Sequence, residues 1–167
     1  EGLPTHIVSN EYVTLEKKKI STSRNWAVWI PDLLKTYHPD TIRYFLIANA
    51  PESRDADFSW REFIYSHNTE LLGAFANFVN RTLKFIEKSF ESNVLQVNIA
   101  SSWRLRVQQT YKIVGELIEQ GNLKLALETV FDVIRAANRY FDEREPWKYA
   151  KTDEDHAKET LATCTYI

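Results

Sequence analysis

The fold class is decided by one long amphipathic stretch, residues 59–90, whose sequence is SWREFIYSHNTELLGAFANFVNRTLKFIEKSF. Its apolar side chains recur at steps of three and four residues, the spacing that places them on one face of an α-helix. Ser59 and Glu62 have the spacing of a capping box, so we predict that the helix begins there. The inward face is predicted to consist of Phe63, Ile64, Leu71, Leu72, Phe75, Val79, Leu83, Ile86 and Phe90.

Further helices are predicted after this stretch. Residues 93–101 form a link, and two helices follow over about 102–120 and 123–141, separated by a helix stop at Gly121. Pro146 breaks the pattern before a final helix. Helices joined by short turns favour an antiparallel bundle. The inward side chains are predicted to be Leu105, Tyr111, Val114, Leu117 and Ile118 in the first of the two helices and Leu127, Val130, Phe131, Ile134 and Ala137 in the second.

The first 58 residues have a more mixed pattern. The short β-type runs at 6–8 and 12–15 predict a hairpin. Short helices are predicted to begin at Pro31 and at Asp40, where proline and an acidic side chain suit a first helical turn. The sequence therefore predicts a mainly α fold in which a small α/β segment, residues 1–58, precedes an antiparallel helical bundle, residues 59–167.

Composition excludes several classes of protein. The 167 residues include 21 basic and 23 acidic side chains, for a net charge of -2, which argues against general affinity for nucleic acid but not against recognition by a few groups. The single cysteine, Cys164, cannot form an internal disulfide. No apolar run reaches membrane-spanning length and no signal peptide is evident, so we expect a cytoplasmic protein without a membrane partner. Because the chain lacks methionine and stops inside a helical pattern, we expect it to be a fragment.

A basic loop is the first candidate site. Residues 17–24 hold four cations and three hydroxyl groups without an acidic side chain. Ammonium and hydroxyl groups can donate to phosphate oxygens and stabilise a leaving pyrophosphate. An ordinary solvated surface loop is the alternative interpretation. Trp26 and Trp29 are predicted to anchor the base of the loop by packing.

Asn77 and Arg81 form a second candidate site, and Trp147 is a third. Asn77 and Arg81 are four residues apart and so share one face of the long helix, which is predicted to point outward. The guanidinium can donate to the two acceptors of a cytosine Watson–Crick edge, and the amide can accept from its amino group. Pro146 fixes the backbone before Trp147, whose indole can then stack on a base. The alternatives are an ordinary helix surface for the pair and a gap-filling core residue for the tryptophan.

A family resemblance connects these sites. The loop Lys19-Ile20-Ser21-Thr22-Ser23 resembles the KMSKS signature loop of class I aminoacyl-tRNA synthetases, which stabilises ATP during amino-acid activation. The resemblance implies a catalytic role for Lys19 and ATP contacts from Lys19, Ser21 and Ser23. Thr22 stands where the family usually has its second lysine. The companion His-x-Gly-His signature is absent from the 167 residues, so the nucleotide site is expected to be incomplete and the fragment alone inactive.

The order of the motifs is similar to that in the C-terminal part of the methionyl-tRNA synthetase family. The resemblance implies that residues 1–58 are the end of the catalytic region with a connecting, stem-contact module. It implies that residues 59–167 are a helical anticodon-binding domain, truncated at its C-terminus. Asn77 and Arg81 would contact the first base of the CAU anticodon of tRNA(Met), and Trp147 would stack on the anticodon. The motifs are Lys17–Arg24, Asp40–Leu46, Asp57–Trp60, Asn77–Arg81 and Pro146–Lys151.

The same resemblance implies ATP and methionine as substrates of the full-length enzyme. The four histidines are dispersed without metal-ligand spacing, so no metal site is expected in this stretch. Two other interpretations stay open. One is the same region of another class I aminoacyl-tRNA synthetase, and the other is a helical protein-interaction module that does not bind RNA.

Overall fold

The computed structural model describes residues 2–91 and 97–167, so residues 93–96 of the predicted link lie outside the described residues. The fold is mainly helical, as predicted, and contains a small three-stranded sheet. None of the helices in these two ranges is both long enough and apolar enough to cross a bilayer. The strands are β1 (Val13–Leu15), β2 (Lys18–Lys19) and β3 (Ala56–Phe58). The helices are α1 (Ile30–Leu33), α2 (Pro39–Ala48), α3 (Trp60–Ser66), α4 (Asn77–Phe90), α5 (Ser101–Glu119), α6 (Leu123–Arg144), α7 (Pro146–Tyr149) and α8 (Glu154–Tyr166), and a π-helical segment, His67–Ala76, joins α3 to α4.

The sheet has the order β2-β1-β3, with β1 antiparallel to β2 and parallel to β3. Glu16 and Lys17, with φ of 48° and 62°, form the two-residue turn between β1 and β2. The Asp57 carboxylate on β3 accepts hydrogen bonds from the Lys17 backbone N–H at 2.7 Å and the Thr14 hydroxyl at 2.6 Å. The predicted hairpin with residues 6–8 is wrong, because β2 and β3 occupy both edges of β1 and residues 6–8 are not a strand.

The long helix predicted over 59–90 is present as α3, the π segment and α4 in unbroken succession. The predicted capping box is wrong: the Ser59 side chain makes no cap hydrogen bond. Instead, the Trp60 backbone N–H donates to the Glu16 carboxylate at 2.9 Å. A side chain from the β-turn thus caps α3 and fixes the helix to the sheet.

The inward face of this helix differs from the prediction. A π-helical turn bonds i to i+5 and so contains about one residue more than an α-turn, which rotates all later side chains relative to an α-helical projection. Phe63 and Phe90 are buried as predicted, but α4 also buries Phe78 and Thr82. The prediction is wrong for a group of apolar residues that are 37–53% exposed: Leu72, Phe75, Val79 and Leu83, which lie in or after the π segment, and Ile64, which precedes it and is not explained by the rotation.

Helix α6 is central to the bundle, where it packs against α5, α2, the π segment and α8. Gly121, with φ of 79°, turns the chain between α5 and α6 and makes them antiparallel neighbours. On α6 the predicted inward residues Phe131, Ile134 and Ala137 are buried. On α5 the buried residues are Trp103 and Val107. Leu105, Tyr111 and Ile118 are 53–78% exposed, contrary to the prediction.

The apolar core divides into two clusters. The first surrounds the sheet and consists of Leu15, Leu33, Ile42, Phe45, Phe58 and Phe63. The second lies within the bundle and includes Phe78, Phe90, Trp103, Val133, Ala136, Ala137, Phe141, Ala157, Leu161 and Cys164. Phe63 lies beyond the predicted domain boundary at residue 58 but packs in the first cluster. The assignment of 1–58 and 59–167 to two domains stays a prediction.

Candidate nucleic-acid interface and nucleotide loop

Arg81 is fixed by two neighbouring residues of α6. Its guanidinium donates a hydrogen bond to the Asp142 carboxylate. The same guanidinium lies over the Phe141 ring, with 4.6 Å between its central carbon and the ring centroid. The Arg81 side chain remains 31% exposed. The group is therefore oriented by protein contacts while part of it stays available to a ligand.

Trp147, on the short helix that directly follows α6, packs on the same phenylalanine. Glu145, with φ of 42°, ends α6, and Pro146 starts α7 immediately before the indole. The Trp147 and Phe141 ring centroids are 5.8 Å apart with an interplanar angle of 36°. Trp147 is 44% exposed, so part of the indole packs on Phe141 and part faces solvent. Both interpretations of Trp147, gap filling and an available stacking surface, are compatible with this position.

The structure thus brings Arg81 and Trp147 together on Phe141. Asn77 is exposed and lies one helical turn before Arg81 on α4, which places it on the same side of that helix. The contacts described for Phe141 are with Arg81 and Trp147, and Asn77 is placed only by its position on α4. Phe141 and Asp142 were not predicted as site residues. The signal in the sequence was weak, since Phe141 simply extends the apolar stripe of α6 by two turns beyond Ile134.

The π segment is held against α6 by polar contacts. Arg135 on α6 donates to the Glu70 carboxylate at 2.6 Å, and the Asn138 amide donates to the Ala74 carbonyl at 3.0 Å. A side-chain hydrogen bond to Asp132, with further electrostatic support from Glu70, raises the pKa of Arg135. These contacts fix the rotation of the helix immediately before Asn77.

Cys164 lies on α8, in the same apolar core cluster as Phe141. It is 3% exposed, and burial raises the pKa of its thiol from 9.0 to about 12, while the Arg81 guanidinium acts in the opposite direction. At pH 8 we expect native Cys164 to react with a thiol-specific aromatic disulfide about a thousand times more slowly than the unfolded chain, because the reactive thiolate decreases tenfold per pKa unit. The measurement compares labelling rates in buffer and in guanidinium chloride.

The same pKa shift predicts a pH dependence of stability. The contribution from protonated Cys164 is fully present below pH 9 and is lost as the pH rises towards 12, because the unfolded chain releases its proton first. Tyr44, whose pKa is raised to about 12 mainly by burial, adds to the loss above pH 10. If Cys164 is labelled quickly in a chain that still unfolds cooperatively, both the expected slow labelling and the expected contribution of Cys164 to the pH dependence of stability are contradicted.

The loop that resembles the KMSKS signature is a tight turn after β2. Lys19 ends β2, and Ser21 and Trp26 exchange two backbone hydrogen bonds of 2.9 Å, which close the turn around Thr22 to Asn25. The Ser21 and Ser23 hydroxyl oxygens are 3.2 Å apart. Both signature serines therefore lie on one side of the turn, next to the exposed Lys19.

Trp26 anchors this loop, as predicted. Its indole N–H donates to the Leu15 carbonyl at 3.1 Å, and the Lys18 ammonium lies 5.1 Å from the ring centroid. Trp29 is 50% exposed and contributes less packing. Lys19, Ser21 and Ser23 offer one ammonium group and two hydroxyl groups from a fixed backbone, which is an arrangement able to contact phosphate oxygens. Within residues 2–91 and 97–167, no group of three His, Cys, Asp or Glu side chains forms a metal-ligand cluster.

Comparisons with known proteins define the class first. The family model described as tRNA synthetases class I (M) matches residues 1–83. Among solved structures, a Mycobacterium tuberculosis methionyl-tRNA synthetase bound by methionyl-adenylate has a TM-score of 0.82 at 22% identity, covering 91% of this chain and 32% of that chain. The apo form of the same enzyme gives 0.81 at 21% identity, with 98% and 32% covered. At this identity the likeness to these structures shows a shared fold alone.

The particular relatives are methionine–tRNA ligases. The methionine–tRNA ligases of Bacillus mycoides (strain KBAB4) and Bacillus cereus (strain G9842) are each 60% identical to this chain over all 167 residues. The chain is therefore homologous to methionine–tRNA ligases along its entire length, which confirms the resemblance to this family. It spans 31% of the length of each of these relatives.

Proposed function

We propose that this chain is the C-terminal part of a cytoplasmic methionyl-tRNA synthetase and that its helical bundle is an anticodon-binding domain that recognises the CAU anticodon of tRNA(Met). The observation that carries the proposal is the meeting of Arg81 and Trp147 on one buried ring, with the Trp147 indole still 44% exposed. Homology to methionine–tRNA ligases over the whole chain supports the choice of tRNA.

The chemistry of these groups suits an unstacked cytosine. The Arg81 guanidinium donates to the base's two acceptors, and the exposed Asn77 amide oxygen accepts from its amino group. The indole of Trp147 supplies a stacking surface, which is worth about 1–3 kcal/mol per base. Recognition by three groups is also compatible with the net charge of -2, since specificity here does not depend on general attraction to phosphates.

The loop at 19–23 is proposed to act on ATP in the full-length enzyme. There, the methionine carboxylate attacks the α-phosphate, pyrophosphate leaves, and the methionyl group passes to the terminal ribose of the tRNA. The Lys19 ammonium and the Ser21 and Ser23 hydroxyls donate to the departing pyrophosphate as its charge develops. Because this chain lacks a His-x-Gly-His motif, it does not activate methionine alone.

Anticodon exchange tests the recognition. Fluorescently labelled anticodon hairpins with CAU or UAU loops are titrated with the chain, and binding is followed by fluorescence anisotropy. We expect a clear preference for CAU, about tenfold, because the UAU base offers a donor where cytosine offers an acceptor and lacks the amino group. Equal binding of the two hairpins contradicts the methionyl assignment and favours another class I synthetase.

A helical protein-interaction module is the second candidate function, and one observation favours it. Phe75, Val79 and Leu83 are 37–53% exposed and border an apolar cavity of about 160 Å³ next to Ile134 and Cys164. Exposed apolar surface of this kind often marks a protein contact. Failure of the chain to bind either hairpin would favour this function over RNA binding.

A further inference from the structure

Phe141 occupies the centre of the Arg81 and Trp147 cluster. It lies in the last turns of α6 and is 3% exposed, so it cannot itself present a surface to RNA. Its ring contacts the guanidinium at 4.6 Å and the indole at 5.8 Å. The following residue, Asp142, accepts a hydrogen bond from the same guanidinium.

These contacts determine where the two exposed groups point. The face of an aromatic ring attracts a cation, so the Phe141 ring holds the Arg81 guanidinium over its face. The tilted ring pair limits the orientations open to the indole. The groups come from α4 and α7, and both contact the same Phe141 ring on α6. The relative position of a hydrogen-bonding group and a stacking group is therefore set by one side chain.

We propose that Phe141 is a positioning residue for recognition of the first anticodon base, acting through Arg81 and Trp147. This inference rests on the proposed function. Phe141 fixes the distance between donor and stacking surface, so that one base satisfies both at once. Loss of the ring leaves Arg81 paired with Asp142 but no longer aligned with the indole.

The experiment separates this role from core packing. The chain and its Phe141→Leu, Phe141→Tyr and Phe90→Leu variants are titrated with CAU and UAU hairpins, and each variant is unfolded by heat. Phe90 is the matched control because it is 8% exposed in the same core cluster, and its aromatic face is occupied by Lys158. Phe141→Tyr keeps the aromatic ring.

We expect Phe141→Leu to reduce the preference for CAU over UAU about tenfold, and Phe141→Tyr to retain the preference within about twofold. Phe90→Leu is expected to lower the melting temperature as Phe141→Leu does, with the preference unchanged. An unchanged preference in Phe141→Leu, or an equal loss in Phe90→Leu, overturns the positioning role. Absence of any preference in the unsubstituted chain contradicts the proposed function instead.

A second measurement needs no change at Phe141. Arg81→Lys and Trp147→Ala are combined in a double-mutant cycle of CAU hairpin binding. If Phe141 aligns the two groups for one base, their effects are strongly non-additive, since either substitution alone already prevents joint recognition. Additive losses in affinity would overturn the proposal even if Phe141→Leu did not fold.

Discussion

Replacing Trp147 with alanine lowers the affinity of the chain for a CAU hairpin by one to two orders of magnitude, the loss expected when roughly 1–3 kcal/mol of base stacking is removed. The indole is 44% exposed and follows a proline that fixes its backbone, so little conformational entropy is lost when a base stacks on it. Fluorescence anisotropy with the labelled hairpin measures the affinity. Circular dichroism should show nearly unchanged helicity, because α7 is only a short helix.

Trp29→Ala is the matched control for this substitution. Trp29 is 50% exposed and lies before α1, next to the loop that is proposed to contact ATP. Hairpin affinity is expected to stay within about twofold of the original chain, since surface substitutions away from a site have small effects. If Trp147→Ala binds the hairpin as tightly as Trp29→Ala does, stacking on Trp147 is not part of recognition and the protein-interaction function gains support.

Replacing Phe63 with alanine should lower the free energy of unfolding by about 3–5 kcal/mol, the usual range for a buried phenylalanine. Phe63 is 1% exposed, and its ring lies within 4.9–5.7 Å of those of Tyr37, Phe45 and Phe58. The substitution leaves a cavity where α3 joins the sheet cluster. A loss of this size is a large part of a typical total stability of about 5–15 kcal/mol.

Ile64→Ala provides the comparison for Phe63→Ala at the neighbouring position. Ile64 is 48% exposed, so its truncation should cost less than about 1 kcal/mol. Denaturation by urea, followed by circular dichroism, gives both values. Comparable losses from the two substitutions would show that the burial of Phe63 does not organise this cluster. They would also restore the sequence-based view that both residues share an inward face.

Local sequence signals predicted the ends of the helices well. Pro31 and Pro39 lie in the first turns of α1 and α2, and Gly121 has the positive φ expected of a helix stop. Pro146 follows the end of α6, as predicted. These features depend on the backbone preferences of single residues, which act in the same way in any fold. Part of the buried stripe of α6 was also predicted: Phe131, Ile134 and Ala137 are buried, whereas Leu127 and Val130 are only partly buried.

The prediction of the buried face from apolar periodicity failed where the backbone departed from α-helical geometry. Wide turns between His67 and Ala76 rotated the later residues, so Phe78 and Thr82 became buried and Phe75, Val79 and Leu83 did not. The contacts of Arg135 and Asn138 with this segment come from α6, more than 60 residues away in sequence. A pattern within one helix contains no information about such partners.

The candidate site also has some features that the sequence predicted and others that only the structure showed. The resemblance to class I synthetases selected Asn77, Arg81 and Trp147, and the helical spacing of the first two placed them on one side of α4. The connection of Arg81 to Trp147 through Phe141, and the pairing of Arg81 with Asp142, became visible only in the folded chain. The role of Asn77, Arg81 and Trp147 in binding tRNA stays a prediction, as do the ATP contacts of Lys19, Ser21 and Ser23.

The sequence by itself determined that this protein is mainly helical, where its helices start and stop, and which family it resembles, because these properties follow from residue preferences and from the order of short motifs. The tertiary structure alone decided which helix faces are buried, which carboxylate caps α3, and which ring joins the guanidinium to the indole. Those outcomes depend on contacts between distant parts of the chain, and such contacts are set by the packing of the whole molecule.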